Sequence, residues 1–134
     1  MKARHRLHSI IIPTKDRPKF LLRSVTSALF GASKECEVIV IDDGGSIPAK
    51  QTLQHITDQR LRIFQNENTA GAAGARNFGI LKSSGDIIFF LDDDDEIVAG
   101  YCQRVMRLSP MPDYGFSAYL INMESQSKQS DKSI

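Results

Sequence analysis

Three short, continuous apolar runs constrain this chain more than any other feature: residues 7–12, 38–41 and 87–91. Each is rich in Ile, Val or Phe, and none alternates cleanly with polar residues. Each therefore predicts a strand buried on both faces, as in a parallel sheet. A weaker strand is predicted over 61–64. Segments with helical patterning separate these runs. Over 20–30, Leu21, Leu22, Val25, Ala28 and Leu29 fall on one stripe, which Gly31 closes. A second helix is expected over 48–58, with Ser46 as its cap and Pro48 in its first turn. Two more are expected over 72–82 and 97–108. The order β-α-β-α-β-α-β-α, followed by a strand over 114–121, predicts an α/β layered domain with right-handed crossovers. With 134 residues the chain is expected to form one domain over 1–122. Residues 123–134 turn to Glu, Ser, Gln, Lys and Asp, and a disordered or poorly packed tail is expected there.

Composition excludes several classes. The formal net charge is +1, so no basic field argues for nucleic acid as a partner. Cys36 and Cys102 lie far apart, with no CxxC pair and no metal spacing. They predict two reduced, buried thiols in a cytosolic protein rather than a disulfide framework. No stretch approaches the roughly 20 apolar residues of a membrane helix. The expectation is a soluble, cytoplasmic chain, with association to a membrane left open.

Ligands of open α/β sheets bind beyond the carboxyl ends of the strands. The first predicted strand is followed by Pro13, Thr14, Lys15, Asp16, Arg17 and Pro18. The second is followed by Asp42, Asp43, Gly44 and Gly45. The weak third leads to Asn66 and the glycine-rich segment 71–79, and the fourth runs straight into Asp92, Asp93, Asp94, Asp95 and Glu96. Four polar clusters on one edge predict a site there. Five neighbouring carboxylates repel one another, and a divalent cation removes that cost. Mg²⁺ or Mn²⁺ prefers oxygen ligands and leaves room for phosphate oxygens, and the Asp92-x-Asp94 spacing lets two carboxylates point one way. A solvated acidic turn is the bland alternative, but the run is continuous with an apolar strand. Asp42 and Asp43 can accept hydrogen bonds from a base or ribose, or one of them can serve only as a turn or helix cap. The glycine segment is neither GxGxxG nor a Walker loop. Within it, Arg76 has a fork suited to phosphate, to the acidic loop, or to both. His5, His8 and His55 share no spacing and are read as surface or packing residues.

The ordered set of segments 9–17, 38–44, 68–79 and 85–95 resembles the family 2 glycosyltransferases, over roughly residues 7 to 108. The resemblance implies a three-layer, Rossmann-like GT-A domain with a mainly parallel sheet. It implies that Pro13 and Thr14 line the base pocket, that Asp16 contacts the nucleotide-sugar, that Asp43 bonds the base, and that Arg76 lies near the ribose and diphosphate. It implies a DxD motif in which Asp94 binds Mg²⁺ or Mn²⁺, with Asp92 as a metal ligand or near the ribose, and Asp93 beside the nucleotide-sugar. The donor is expected to be a nucleotide-diphosphate sugar, UDP-linked first, and the acceptor a glycan or lipid-linked glycan. Transfer is expected to invert the sugar carbon, with a carboxylate taking the acceptor proton. That base normally follows the DxD strand at a distance. Among the later acids here, Asp113, Glu124 and Asp131, none sits in a recognisable motif. The acceptor-binding half is therefore expected to be missing, the chain being either a truncated product or a subunit completed by another chain; an exposed edge or apolar face near residue 121 would favour a homo-oligomer. Three rivals remain: a remnant that binds nucleotide and metal without turnover, a phosphoreceiver domain, and a dehalogenase-type phosphohydrolase. A whole βα unit precedes Asp42, which argues against the receiver; the DxD lies on the fourth strand, not the first, which argues against the hydrolase.

Overall fold

A computed structural model of the chain describes residues 7–108 and residue 115. The elements run β1 (His8–Thr14), α1 (Pro18–Gly31), β2 (Cys36–Asp42), α2 (Ala49–Thr52), β3 (Leu61–Gln65), α3 (Ala72–Lys82), β4 (Ile87–Phe90) and α4 (Tyr101–Met106). The four strands form one parallel sheet in the order β3-β2-β1-β4.

The two central strands explain why their sequences read as unbroken apolar runs. Every residue of β1 and β2 is buried. Ile10, Ile12, Val38 and Val40 project to one face, into a cluster with Leu21, Val25, Ala28 and Leu29 of α1, Ala49 of α2, Leu53 and Cys102 of α4. Ile11, Ile39 and Ile41 project to the other, against Ala75 and Phe78 of α3. Each fully buried Ile, Leu or Val among them stabilises the fold by roughly 1.5–3 kcal/mol. The result is the expected three-layer α/β domain, with α3 alone on its face among the described helices. Gly79 permits that layer to sit so close: a Cβ there would collide with the Ile11 side chain.

Several expectations need correcting. The run 87–91 is not buried on both faces. Its strand, β4, forms one end of the described sheet, pairs with β1 and is half-buried, with Phe90 exposed. The second helix is four residues, not the eleven of 48–58. The Leu53 N–H closes the last helical bond to the Ala49 carbonyl, the chain then tightens as the Ile56 N–H donates to the Leu53 carbonyl, and both side chains reach the core. The β-branched pair Ile56-Thr57 adds little helical preference to resist this. Ser46 does not cap that helix either; the Ala49 N–H is capped by the Asp42 carboxylate at 2.8 Å, from the end of β2. The segment 97–108 is not one helix, because Gly100 adopts a left-handed conformation (φ 80°) and α4 starts after it. α1 begins two residues before its expected start, with Pro18 in its first turn. The strand expected over 114–121, save residue 115, and the tail 123–134 lie outside the described residues. No described helix is long and apolar enough to cross a membrane.

Candidate functional site

Parallel strands all end on one edge, and the strand order opens that edge at one place. From β1 the chain steps to β2 and then β3 on one side, and returns to β4 on the other. The switch point therefore lies between β1 and β4, where open α/β sheets leave a crevice. Pairing of these strands stops at Ile11 opposite Phe90, and the Leu91 N–H then donates to the Ile11 carbonyl at 3.0 Å. Pro13 lies two residues further along β1, on the side that faced β4. Lacking an N–H, it leaves no unpaired donor where β4 departs.

The acidic loop fills this crevice and divides its carboxylates by burial. Asp93 turns inward and is 7% exposed. It accepts hydrogen bonds from the Thr14 hydroxyl at 2.9 Å and from Arg17 at 3.3 Å. The Asp92 carboxylate faces solvent and pairs with Arg76 of α3 at 2.7 Å, while its carbonyl accepts from the Ser24 hydroxyl of α1 at 3.2 Å. Asp94 is also exposed and is reached by Arg17 at 3.3 Å. The Asp95 N–H donates to the Asp92 carbonyl at 3.0 Å, closing a tight turn. That turn brings carboxylate oxygens of Asp92, Asp94 and Asp95 within 4.8 Å of one another. Burial first, and then the charges of Asp94, Asp92 and Asp93, push the Asp95 carboxyl above its ordinary pKa. Arg76 and Arg17 offset part of the charge on Asp92 and Asp94, and the three carboxylates together form an all-oxygen donor set, the chemistry that Mg²⁺ or Mn²⁺ takes. The residues present fit such an ion.

A second wall stands at the end of β2. The Asp43 N–H donates to the Thr14 carbonyl at 2.9 Å, which fixes the strand ends side by side. Its carboxylate accepts from Asn66 Nδ2 at 2.7 Å and from the Gly71 N–H at 2.8 Å, joining the second, third and glycine-rich loops. Each oxygen retains a lone pair for another donor. Asp42 is different: it is buried, and its two oxygens accept from the N–H groups of Gly44 and Ala49. Of this pair, Asp42 is the cap. Asp16 takes a positive φ of 51°, which a short polar side chain tolerates. One of its oxygens accepts from the Ser46 and Ile47 N–H groups, both at 2.8 Å, and so ties the first loop to the second.

Thr14, Asp92, Asp93, Asp94 and Arg76 thus surround the crevice, while Asp16 and Asp43 organise the neighbouring loops. Asp95, Arg17, Asn66 and Ser24 belong to the same constellation; the first three lie in the polar clusters read from sequence but were given no individual role there, and Ser24 lies outside them. Arg17 carried a usable signal: it is a cation in the loop after β1, on the edge where five acids converge.

Residues 9–130 match the profile of the family described as glycosyl transferase family 2. A GalNAc(5)-diNAcBac-PP-undecaprenol beta-1,3-glucosyltransferase of Campylobacter jejuni is 35% identical over 102 residues, covering 74% of this chain and 33% of that protein. The UDP-Glc:alpha-D-GlcNAc-diphosphoundecaprenol beta-1,3-glucosyltransferase WfgD of Escherichia coli is 34% identical over 105 residues, covering 78% and 41%. The chain therefore spans well under half the length of these relatives. Among solved structures, the mannosyltransferase PcManGT of Pyrobaculum calidifontis, in complex with GDP-Man and Mn²⁺, superposes with a TM-score of 0.68 at 16% identity, covering 82% of this chain and 34% of that one; the likeness is one of fold.

Proposed function

The chain belongs to glycosyl transferase family 2, and from that premise we propose that its described domain holds the donor of a sugar transfer: a nucleotide-diphosphate sugar, UDP-linked first, bound together with Mg²⁺ or Mn²⁺. The observation that carries this reading is the meeting of Asp92, Asp94 and Asp95 at the β1/β4 switch point. In this reading Asp94 and Asp92 hold the cation, and Asp95 completes the set. When bound, the ion neutralises charge on the leaving diphosphate. Arg76 adds a fork for phosphate or ribose oxygens beside it. Asp43, held rigid by Asn66 and Gly71, offers an acceptor to a base N–H. Pro13 and Thr14 form the wall between base and diphosphate, Asp16 keeps that wall in register with the second loop, and Asp93 fixes the acidic turn from beneath. The two relatives are named for lipid-diphosphate-linked acceptors, which supports a lipid-linked glycan as the acceptor here. The acceptor hydroxyl attacks the sugar carbon opposite the diphosphate, inverting it, and a carboxylate takes the proton. Asp113, Glu124 and Asp131 lie outside the described residues.

Thermal melting with UDP, GDP or dTDP, with and without Mn²⁺, tests the reading. A ligand at about 100 times its Kd adds roughly 2.7 kcal/mol, a shift of several degrees. Asp94→Ala is expected to remove the metal-dependent part of that shift. If no nucleotide raises the melting temperature even with Mn²⁺, the donor-site reading is wrong.

A further inference from the structure

We propose that Arg17 competes with the cation for Asp94 and, once displaced, engages the donor diphosphate, so that metal and nucleotide bind cooperatively. The inference rests on the donor-site reading above. Arg17 bridges Asp93 and Asp94 through one nitrogen, at 3.3 Å to each. Charge-assisted bonds of this kind usually close to about 2.7–2.9 Å, so both contacts are loose. The side chain is 51% exposed. Its backbone, by contrast, is fixed, because the Arg17 carbonyl accepts from the Leu21 N–H at 2.9 Å in the first turn of α1. A guanidinium on a fixed base with a mobile head can exchange partners without moving the loop. Asp93 keeps the Thr14 hydroxyl when Arg17 leaves, so its buried charge is not orphaned. The Asp94 oxygen that Arg17 touches belongs to a carboxylate of the metal-capable set. A cation held on that oxygen would repel the guanidinium from it. The freed fork suits phosphate oxygens. By linkage the coupling is reciprocal: whatever nucleotide does for the metal, metal does for the nucleotide.

The test titrates the protein with Mn²⁺, following the free aquo-ion by electron paramagnetic resonance, with and without UDP. Arg17→Gln is expected to bind Mn²⁺ alone roughly 3- to 5-fold more tightly, the effect of removing one half-exposed charge at contact distance in a watery dielectric. UDP is expected to enhance its Mn²⁺ affinity several-fold less than it does for the wild type. Arg23→Gln, which removes an arginine lying over the Phe20 ring, is expected to behave as wild type in both arms. If Arg17→Gln melts too low to titrate, Arg17→Met carries the test. It removes the charge and keeps an unbranched stem, so Mn²⁺ alone must again bind roughly 3- to 5-fold more tightly than in the wild type. Unchanged or weaker Mn²⁺ binding by the variants, with UDP and Mn²⁺ still bound by the wild type, makes Arg17 a structural pin and overturns the inference alone. A wild type that takes up no Mn²⁺ even with UDP overturns the donor-site reading itself.

Discussion

Replacing Asp42 by Asn tests the division of labour within the two acidic pairs most sharply. The Asp42 carboxylate is buried and receives two backbone N–H groups, from Gly44 at 3.0 Å and Ala49 at 2.8 Å, one on each oxygen. An amide of the same shape offers one oxygen. Its NH₂ must then face the other N–H, which is left buried without an acceptor. That orphan costs about 1–3 kcal/mol, and turning the surviving bond from charge-assisted to neutral costs about 1 kcal/mol more. The expected loss is therefore about 2–4 kcal/mol, or roughly 10 °C in Tm for a domain of this size. Asp43→Asn should cost less, about 1 kcal/mol, since the Gly71 N–H can keep the remaining oxygen and the partner side chain Asn66 is only partly buried. Asp92→Asn, whose carboxylate is 53% exposed and whose ion pair with Arg76 is balanced by the neighbouring acids, should lie within about 0.5 kcal/mol of wild type. Urea unfolding of the ligand-free proteins gives the three values with a shared slope. A loss below 1 kcal/mol for Asp42→Asn, or a loss for Asp92→Asn as large as that for Asp42→Asn, would refute the assignment of Asp42 to scaffold and Asp92 to site.

Three further outcomes follow from the same packing. Gly79→Ala places a methyl group into the Ile11 side chain and is expected to destabilise by about 1–3 kcal/mol; a thermal melt unchanged from wild type would mean that α3 does not sit this close. His8 is buried against Phe89 with both ring nitrogens lacking hydrogen-bond partners among the described residues, and burial, opposed by the charge of Glu35, lowers its pKa. With the folded value below the unfolded one of about 6.5, the unfolded state binds more protons, so stability is full above pH 6.5 and is lost as pH falls below it. His8→Leu should reduce the loss of stability between pH 7 and pH 5, and an identical slope in both proteins would exclude His8 as its source. Burial pushes the Cys36 thiol up to about 12 and the Cys102 thiol up to about 11, so at pH 8 a thiol-alkylating reagent should label neither faster than the protein unfolds; rapid labelling in native conditions would show that the α4 layer opens.

What could be read in advance was what neighbours along the chain decide. The runs at β1 and β2 announced double burial because both their faces are covered, and the turn chemistry of Asp42 to Gly45 announced a loop. The run at β4 has the same apolar character, yet it lies at one end of the described sheet. An apolar run records the solvent its residues avoid, not how many strands flank it, so centre and edge looked alike. The helix over 48–58 failed for a related reason: its period was helical, but Leu53 and Ile56 gain more from reaching the core than from extending one more turn.

The site was legible as an edge and illegible as a set of contacts, and parallel topology explains both halves. Once all strands run one way, every segment after a strand must arrive on the same edge, so four polar clusters at four strand ends are brought together by connectivity alone. Which groups then touch depends on pairings across long separations: Thr14 with Asp93, Arg17 with Asp94, Asp43 with Asn66 and Gly71. No periodicity encodes these. The repulsion of five acids was visible as a cost, but the sorting of the four aspartates into one inward carboxylate and three convergent ones goes with the single turn bond from the Asp95 N–H to the Asp92 carbonyl. The turn is flanked by two further holds, the Thr14 hydroxyl on the inward Asp93 carboxylate and the Ser24 hydroxyl on the Asp92 carbonyl. The convergent geometry is thus supported from β1 and α1. A change at Ser24 or Thr14 should disperse the three carboxylates as surely as a change to one of the aspartates.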